Sequence, residues 1–143
     1  MRALLDVNVL IALLDAGHLY HRRAMAWLEA EVHHGWASCP ITQNGCLRIL
    51  SQPAYPNVIP VGLVAERLAE AISHPAHAFW PDDVSLLDDG VIDWEKIMGH
   101  RQITDAYLLA MAQRRGGRFV TFDTRIALNM LPGVKSDHLV VLT

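Results

Sequence analysis

The chain has 143 residues, 52% of them hydrophobic, enough for one self-supporting core and a single domain spanning residues 1–143. A formal charge of -3 argues against a protein that coats nucleic acid electrostatically, although all but Lys96 and Lys135 of its 12 basic residues are arginines. Cys39 and Cys46 form no metal or redox motif, and no stretch reaches the roughly 18 apolar residues of a membrane span, so a reducing cytoplasm and no membrane are expected. The apolar start after Arg2 is broken by Asp6, Asn8 and Asp15 and lacks a convincing cleavage site, unlike a signal peptide.

Short apolar runs alternate with helical patterns, which predicts an α/β domain with a mainly parallel sheet. "RALLD" (2–6) reads as a buried first strand, and Asn8 as the N-cap of a short helix reaching about Asp15. Residues 18–34 read as a second helix with Leu19, Ala26, Trp27 and Ala30 near one face. "GWASC" is a short strand, after which Pro40 suits the first turn of a helix through "ITQNGCLRILS". "VGLVAERLAEAIS" carries apolar residues at helical spacing, and "AFW" reads as a strand stopped by Pro81. Residues 82–101 are acidic and irregular. Thr104 then reads as the cap of "DAYLLAMAQRR", a helix apolar nearly all round and hence central, ended by Gly116 and Gly117. "RFVTF" and "HLVVL" complete a sheet of about five strands.

On that scaffold Asp6 ends the first strand, Asp105 opens the buried helix and Asp123 follows a later strand. Ligands of open parallel sheets collect at the carboxyl ends of the strands, where these three acids could converge. Converging carboxylates repel unless a cation lies between them, and oxygen ligands without His or Cys suit Mg2+ or Mn2+. The plainer reading of each aspartate alone is a helix or turn cap. The eight histidines include no ligand set at recognisable spacing and read as surface or capping residues.

"LLDVNVLIALLD", "ITDAYLLAMA" and "GGRFVTFD" together resemble PIN-domain ribonucleases of the VapC toxin kind, from Leu4 to about Leu128. "FWPDDVSLLD" and "HRQITDAYLLA" are similar to a mycobacterial-type branch of that family. The resemblance implies a three-layer α/β/α fold and a Mg2+- or Mn2+-dependent endoribonuclease. It also implies a homodimer, inhibition by a VapB-like antitoxin, and a tRNA or rRNA substrate. It implies that Asp6, Asp105 and Asp123 are the catalytic, metal-holding acids, with Asn8, Thr104 and Thr121 as supporting polar groups. Gln43 stands where the family usually has a glutamate, which leaves about -3 of site charge and favours a single tightly held metal, any second ion arriving with RNA. Arg125 is the preferred phosphate contact, with Arg114 and Arg115 as further RNA-binding candidates, although the plainer reading of these two and Arg118 is a solvated helix C-terminus.

Two other readings stand beside this one. Gln43 is compatible with a degenerate PIN-like domain that binds RNA or a partner without cutting. "DVNVL" is also similar to the opening of haloacid-dehalogenase phosphatases, whose chemistry needs an aspartate where Asn8 stands and a later lysine.

Overall fold

The computed structural model describes residues 1–143. Five short strands form one sheet: β1 (Ala3–Leu5), β2 (Trp36–Ser38), β3 (His77–Phe79), β4 (Arg118–Thr121) and β5 (Leu139–Val141). Their order is β3-β2-β1-β4-β5, and every pairing is parallel. The chain starts in the middle, moves outward through β2 and β3, then returns to the other side of β1 with β4. The gap between the tips of β1 and β4 is therefore the topological switch point, where such sheets open a crevice.

Alternation along the strands explains the layers. Leu4, Ala37 and Phe119 face one side and pack with Ala106, Leu108, Leu109, Met111 and Ala112 of α5 (Ile103–Arg114). Ala3, Leu5, Trp36 and Val120 face the other side. There they meet α1 (Val7–Leu14), α3 (Pro40–Leu50) and α4 (Val61–Ile72) through Val9, Leu10, Cys46, Leu50, Val64 and Leu68. This is the expected α/β/α sandwich. Strands buried on both faces read as unbroken apolar runs, as β1 does and as Phe119 and Val120 do within β4. The central α5 is buried along most of its length, and its end is set by Gly116, whose φ of 65 lies in the left-handed region.

Four local expectations are corrected. Asp6, not Asn8, is the N-cap of α1: its backbone is extended, its carbonyl accepts from the Val9 and Leu10 N–H groups, and its side chain accepts from Val7 N. Asn8 lies inside the first turn. Thr104 likewise lies inside α5, which begins at Ile103 after a 3-10 turn over His100–Gln102 and has no side-chain cap. The second helix, α2, is confined to His21–Glu31 and extended by a 3-10 turn over Val32–His34. Its inward face is Ala24 with the partly buried Trp27 and Leu28, whereas Leu19 is 85% exposed on the preceding loop. A continuous apolar stripe from Leu19 is impossible because the chain is not yet helical there.

Candidate active site

Asp6 is held by three elements at once. Its backbone N–H extends the β1–β4 ladder by donating to the Val120 carbonyl at 2.9 Å, and its residue is only 8% exposed. Oδ1 accepts from Val7 N at 2.7 Å, and Oδ2 accepts from the Thr121 hydroxyl at 2.6 Å. Burial raises the carboxyl above its ordinary value, these two hydrogen bonds oppose that, and the charge of Asp123 adds to the rise.

The last residue of β4, Thr121, ties the acids together. Besides donating to Asp6, its Oγ1 accepts from Asn8 Nδ2 at 3.3 Å and from the backbone N–H of Asp123 at 3.1 Å. One hydroxyl thus uses its donor and both lone pairs while fully buried. Asn8 also accepts from Phe122 N at 3.4 Å, which fastens the first turn of α1 to the tip of β4. Its displacement from the cap position explains this use of its amide.

Asp105 enters from the first turn of α5. Burial, then the charges of Asp6 and Asp123, push its carboxyl up to about 6, with Arg125 working the other way. Thr121 joins Asp6 to the Asp123 backbone, and Asp105 and Asp123 line one cavity, so the three acids border the β1/β4 crevice. Asp123 differs. Arg125 donates to it through Nε at 3.0 Å, Nη2 at 3.1 Å and the backbone N–H at 2.9 Å, and this grip holds its carboxyl below the usual range.

The donor chemistry fits a hard divalent cation: three carboxylates from separate elements, Asp6 buried and Asp105 pushed up by burial and by the charges of its neighbours. No three His, Cys, Asp or Glu side chains stand as a preassembled ligand cluster. The reason is visible in the geometry, since Asp123 is turned onto Arg125 and Asp6 onto Thr121.

Gln43 sits at the same sheet edge. Its Nε2 donates to Ser38 Oγ at 2.9 Å, at the tip of β2, the strand beside β1. Ser38 Oγ lies 2.7 Å from His77 Nε2. Burial lowers the His77 pKa, and a hydrogen bond to the Ile72 carbonyl opposes it. The neutral ring therefore accepts from Ser38, whose oxygen accepts from Gln43. Neither Ser38 nor His77 carries a sequence signal, because their pairing spans 39 residues.

Arg114 and Arg115 lie at the far end of α5, about 14 Å along the helix axis from Asp105. Arg115 pairs with Asp83 at 2.9 Å and covers the Trp80 ring. The structure thus separates them from the carboxylates, while Arg125 stays at the site with its side chain 78% exposed. Thr104 is exposed beside Asp105. A cavity of about 420 Å³ opens over Asp105, Asp123 and Arg125 and is walled by Met98, His100 and Met130. The wall residues Met98 to Arg101 come from the irregular acidic region, whose lack of periodicity hid them.

Residues 3–129 match the PIN domain family model. The chain is 53% identical over 142 residues to Ribonuclease VapC44 of Mycobacterium tuberculosis, covering 99% of this chain and 100% of that protein. It is 44% identical over 128 residues to Ribonuclease VapC39 of the same species, covering 89% of this chain and 92% of that one. In fold it is similar to VapBC2 from Rickettsia felis, solved bound to a DNA fragment from its promoter, with a TM-score of 0.62, 13% identity and full coverage of both chains. FitAcB from Neisseria gonorrhoeae is also similar, at a TM-score of 0.60 and 22% identity over 85% of this chain and 88% of that one. With its acids at the crevice between β1 and β4, the chain belongs to the PIN-domain family, among its VapC-type members.

Proposed function

We propose that this chain is a toxin-type endoribonuclease that hydrolyses RNA phosphodiester bonds with a divalent cation, Mg2+ or Mn2+, and is silenced by a VapB-like antitoxin. What supports the reading is that Thr121 ties Asp6 to the Asp123 backbone at the switch point while Asp105 and Asp123 line one cavity there, with Asp105 raised to about 6 by burial and its neighbours. Asp6 is the anchor, Asp105 and Asp123 complete the cation's ligands, and Asn8 and Thr121 orient Asp6 and Asp123. When bound, the cation supplies an activated water and neutralises charge on the phosphate oxygens.

The protein's own groups do the rest. Thr121 keeps Asp6 Oδ2 fixed. Asp105 is the better acceptor for a proton from the attacking water, because Arg125 lowers the basicity of Asp123. Arg125, once released from Asp123, grips an RNA phosphate beside the cut. Gln43 contributes a neutral amide, so one tightly held ion is expected, any second ion arriving with the RNA. The substrate is a tRNA or rRNA loop chosen by shape. The place of action is the cytoplasm, and the protein works as a homodimer.

The test is cleavage of tRNA and rRNA by purified protein in Mg2+ or Mn2+. Activity should vanish with EDTA and in Asp6→Asn and Asp105→Asn proteins that keep their fold. Retained cleavage by Asp6→Asn overturns the assignment. RNA binding without cleavage by the wild type establishes instead the degenerate binding domain that Gln43 would suit.

A further inference from the structure

A second open cleft of about 400 Å³ shares Asp123 and Arg125 with the first cavity and is lined besides by Asn8, His18, Tyr20, Phe122 and Thr124. The carboxylate reading gives this cleft no role. Tyr20 stacks one ring face on Phe122, with centroids 5.1 Å apart and planes inclined by 26°, while the residue is 48% exposed. His18 leans toward Tyr20 at 5.8 Å and 48°. Soluble proteins usually pack an aromatic pair inward, and here one is presented beside a charged site.

The platform is braced. Asp15, at the start of the loop carrying His18 and Tyr20, accepts from the Tyr55 hydroxyl and from Asn57 Nδ2 at 3.1 Å. Gly17 passes so close to Asn57 that a Cβ there would lie 2.8 Å from its Nδ2. His18 Nδ1 accepts from Tyr20 N at 3.0 Å, so in the neutral ring the proton sits on Nε2. At the base of the cleft Asn8 joins α1 to the tip of β4, which carries Phe122.

From these contacts we infer that the cleft formed by His18, Tyr20 and Phe122 is a nucleobase subsite, receiving one unpaired base of the RNA next to the phosphate handled at Asp123 and Arg125. The inference rests on the ribonuclease reading. Three observations favour a base over an apolar protein side chain. The cleft is lined by the half-exposed ring of Tyr20, and every nucleobase can stack on such a ring. It is also lined by His18, whose Nε2–H suits a base edge. Its far wall is Arg125, a bidentate cation matched to the phosphate that must accompany a base. The cleft and the first cavity share Asp123 and Arg125, so a strand crossing the acids would leave one nucleotide on each side.

The test is an NMR titration of the metal-free full-length protein with adenosine 5′-monophosphate, using ribose 5-phosphate as the base-free control. Adenosine monophosphate should shift the ring signals of His18, Tyr20 and Phe122, and ribose 5-phosphate should leave them in place. Tyr20→Ala should weaken that binding by about tenfold, the range expected for one lost stacking partner, and Tyr20→Phe should preserve it. On RNA, Tyr20→Ala should raise KM with little change in kcat. Equal responses to both ligands, no response at the three rings, or unchanged affinity in a folded Tyr20→Ala protein overturns the subsite. The two readings fail separately. RNA cleavage that depends on Asp6 but not on Tyr20 removes the subsite alone, and Tyr20-dependent base binding without any cleavage removes the nuclease alone.

Discussion

The Thr121 hydroxyl donates to Asp6 Oδ2 at 2.6 Å, which makes a β4 residue the keeper of a β1 carboxylate. Replacing Thr121 by valine keeps the shape and removes the donor, together with the acceptor used by Asn8 and by Asp123 N. Leaving such groups buried without partners costs about 1–3 kcal/mol. Thr121→Val should therefore unfold at lower urea and lower kcat, and Thr121→Ser should restore most of both. Equal denaturation midpoints for wild type and Thr121→Val would show that Asp6 needs no such support.

Arg125 occupies both oxygens of Asp123 and competes with a cation for them. Its removal should tighten Mn2+ binding to the RNA-free protein severalfold, measured by calorimetry. The same Arg125→Ala change should raise KM for RNA and flatten the log–log salt dependence by about 0.7, the share of one single-strand phosphate contact. Weaker Mn2+ binding in the variant would mean that Arg125 orients Asp123 for the cation.

Much of this was legible beforehand because strand-end acids obey a strong rule. Apolar runs fix β1 and β4 within a residue, and Asp6 and Asp123 then fall at the sheet edge whatever the loops do. The choice between Asp6 and Asn8 as cap was not legible, since both residue types cap equally well and a three-residue strand leaves no margin. Tyr20, Ser38 and His77 escaped for another reason. Each acts through a partner distant in sequence, Tyr20 through Phe122 and Ser38 through His77, and local patterns carry no trace of such pairs. The pairing of Arg115 with Asp83 was illegible for the same reason, since it spans 32 residues.

Gln43 donates to Ser38, and a glutamate there could only accept. In Gln43→Glu the Ser38 hydroxyl would turn toward the new carboxylate and leave His77 Nε2 without its donor. The ring would then favour the protonated form, donating to Ser38 and to the Ile72 carbonyl. Gln43→Glu should raise the His77 pKa, followed by NMR, and let the RNA-free protein bind a second Mn2+. Wild type and variant that both bind two ions with equal affinity would refute the single-ion reading.

Asp105 gives the metal-free protein a pH dependence of definite sign. Its folded-state pKa of about 6 lies above the ordinary aspartate value of 3.8, so between these limits the folded chain holds a proton that the unfolded chain has released. Stability from this group is thus fully present below about pH 4 and is lost as pH rises through about 6. Asp6, also raised by burial, adds to the slope in the same direction. Asp123 is lowered by Arg125 and opposes it, at more acid pH. Melting in EDTA across this range should show the metal-free wild type losing stability from pH 4 to 6.5. Asp105→Asn, which cannot ionise, should lose the Asp105 part of that slope and melt higher than wild type at neutral pH. Divalent cation reverses the trend, because it binds the ionised carboxylates and must displace the Asp105 proton, so Mn2+ affinity should climb as pH rises toward 7. If Asp105→Asn melts lower than metal-free wild type at pH 7, the mutual repulsion inferred for the three acids is absent.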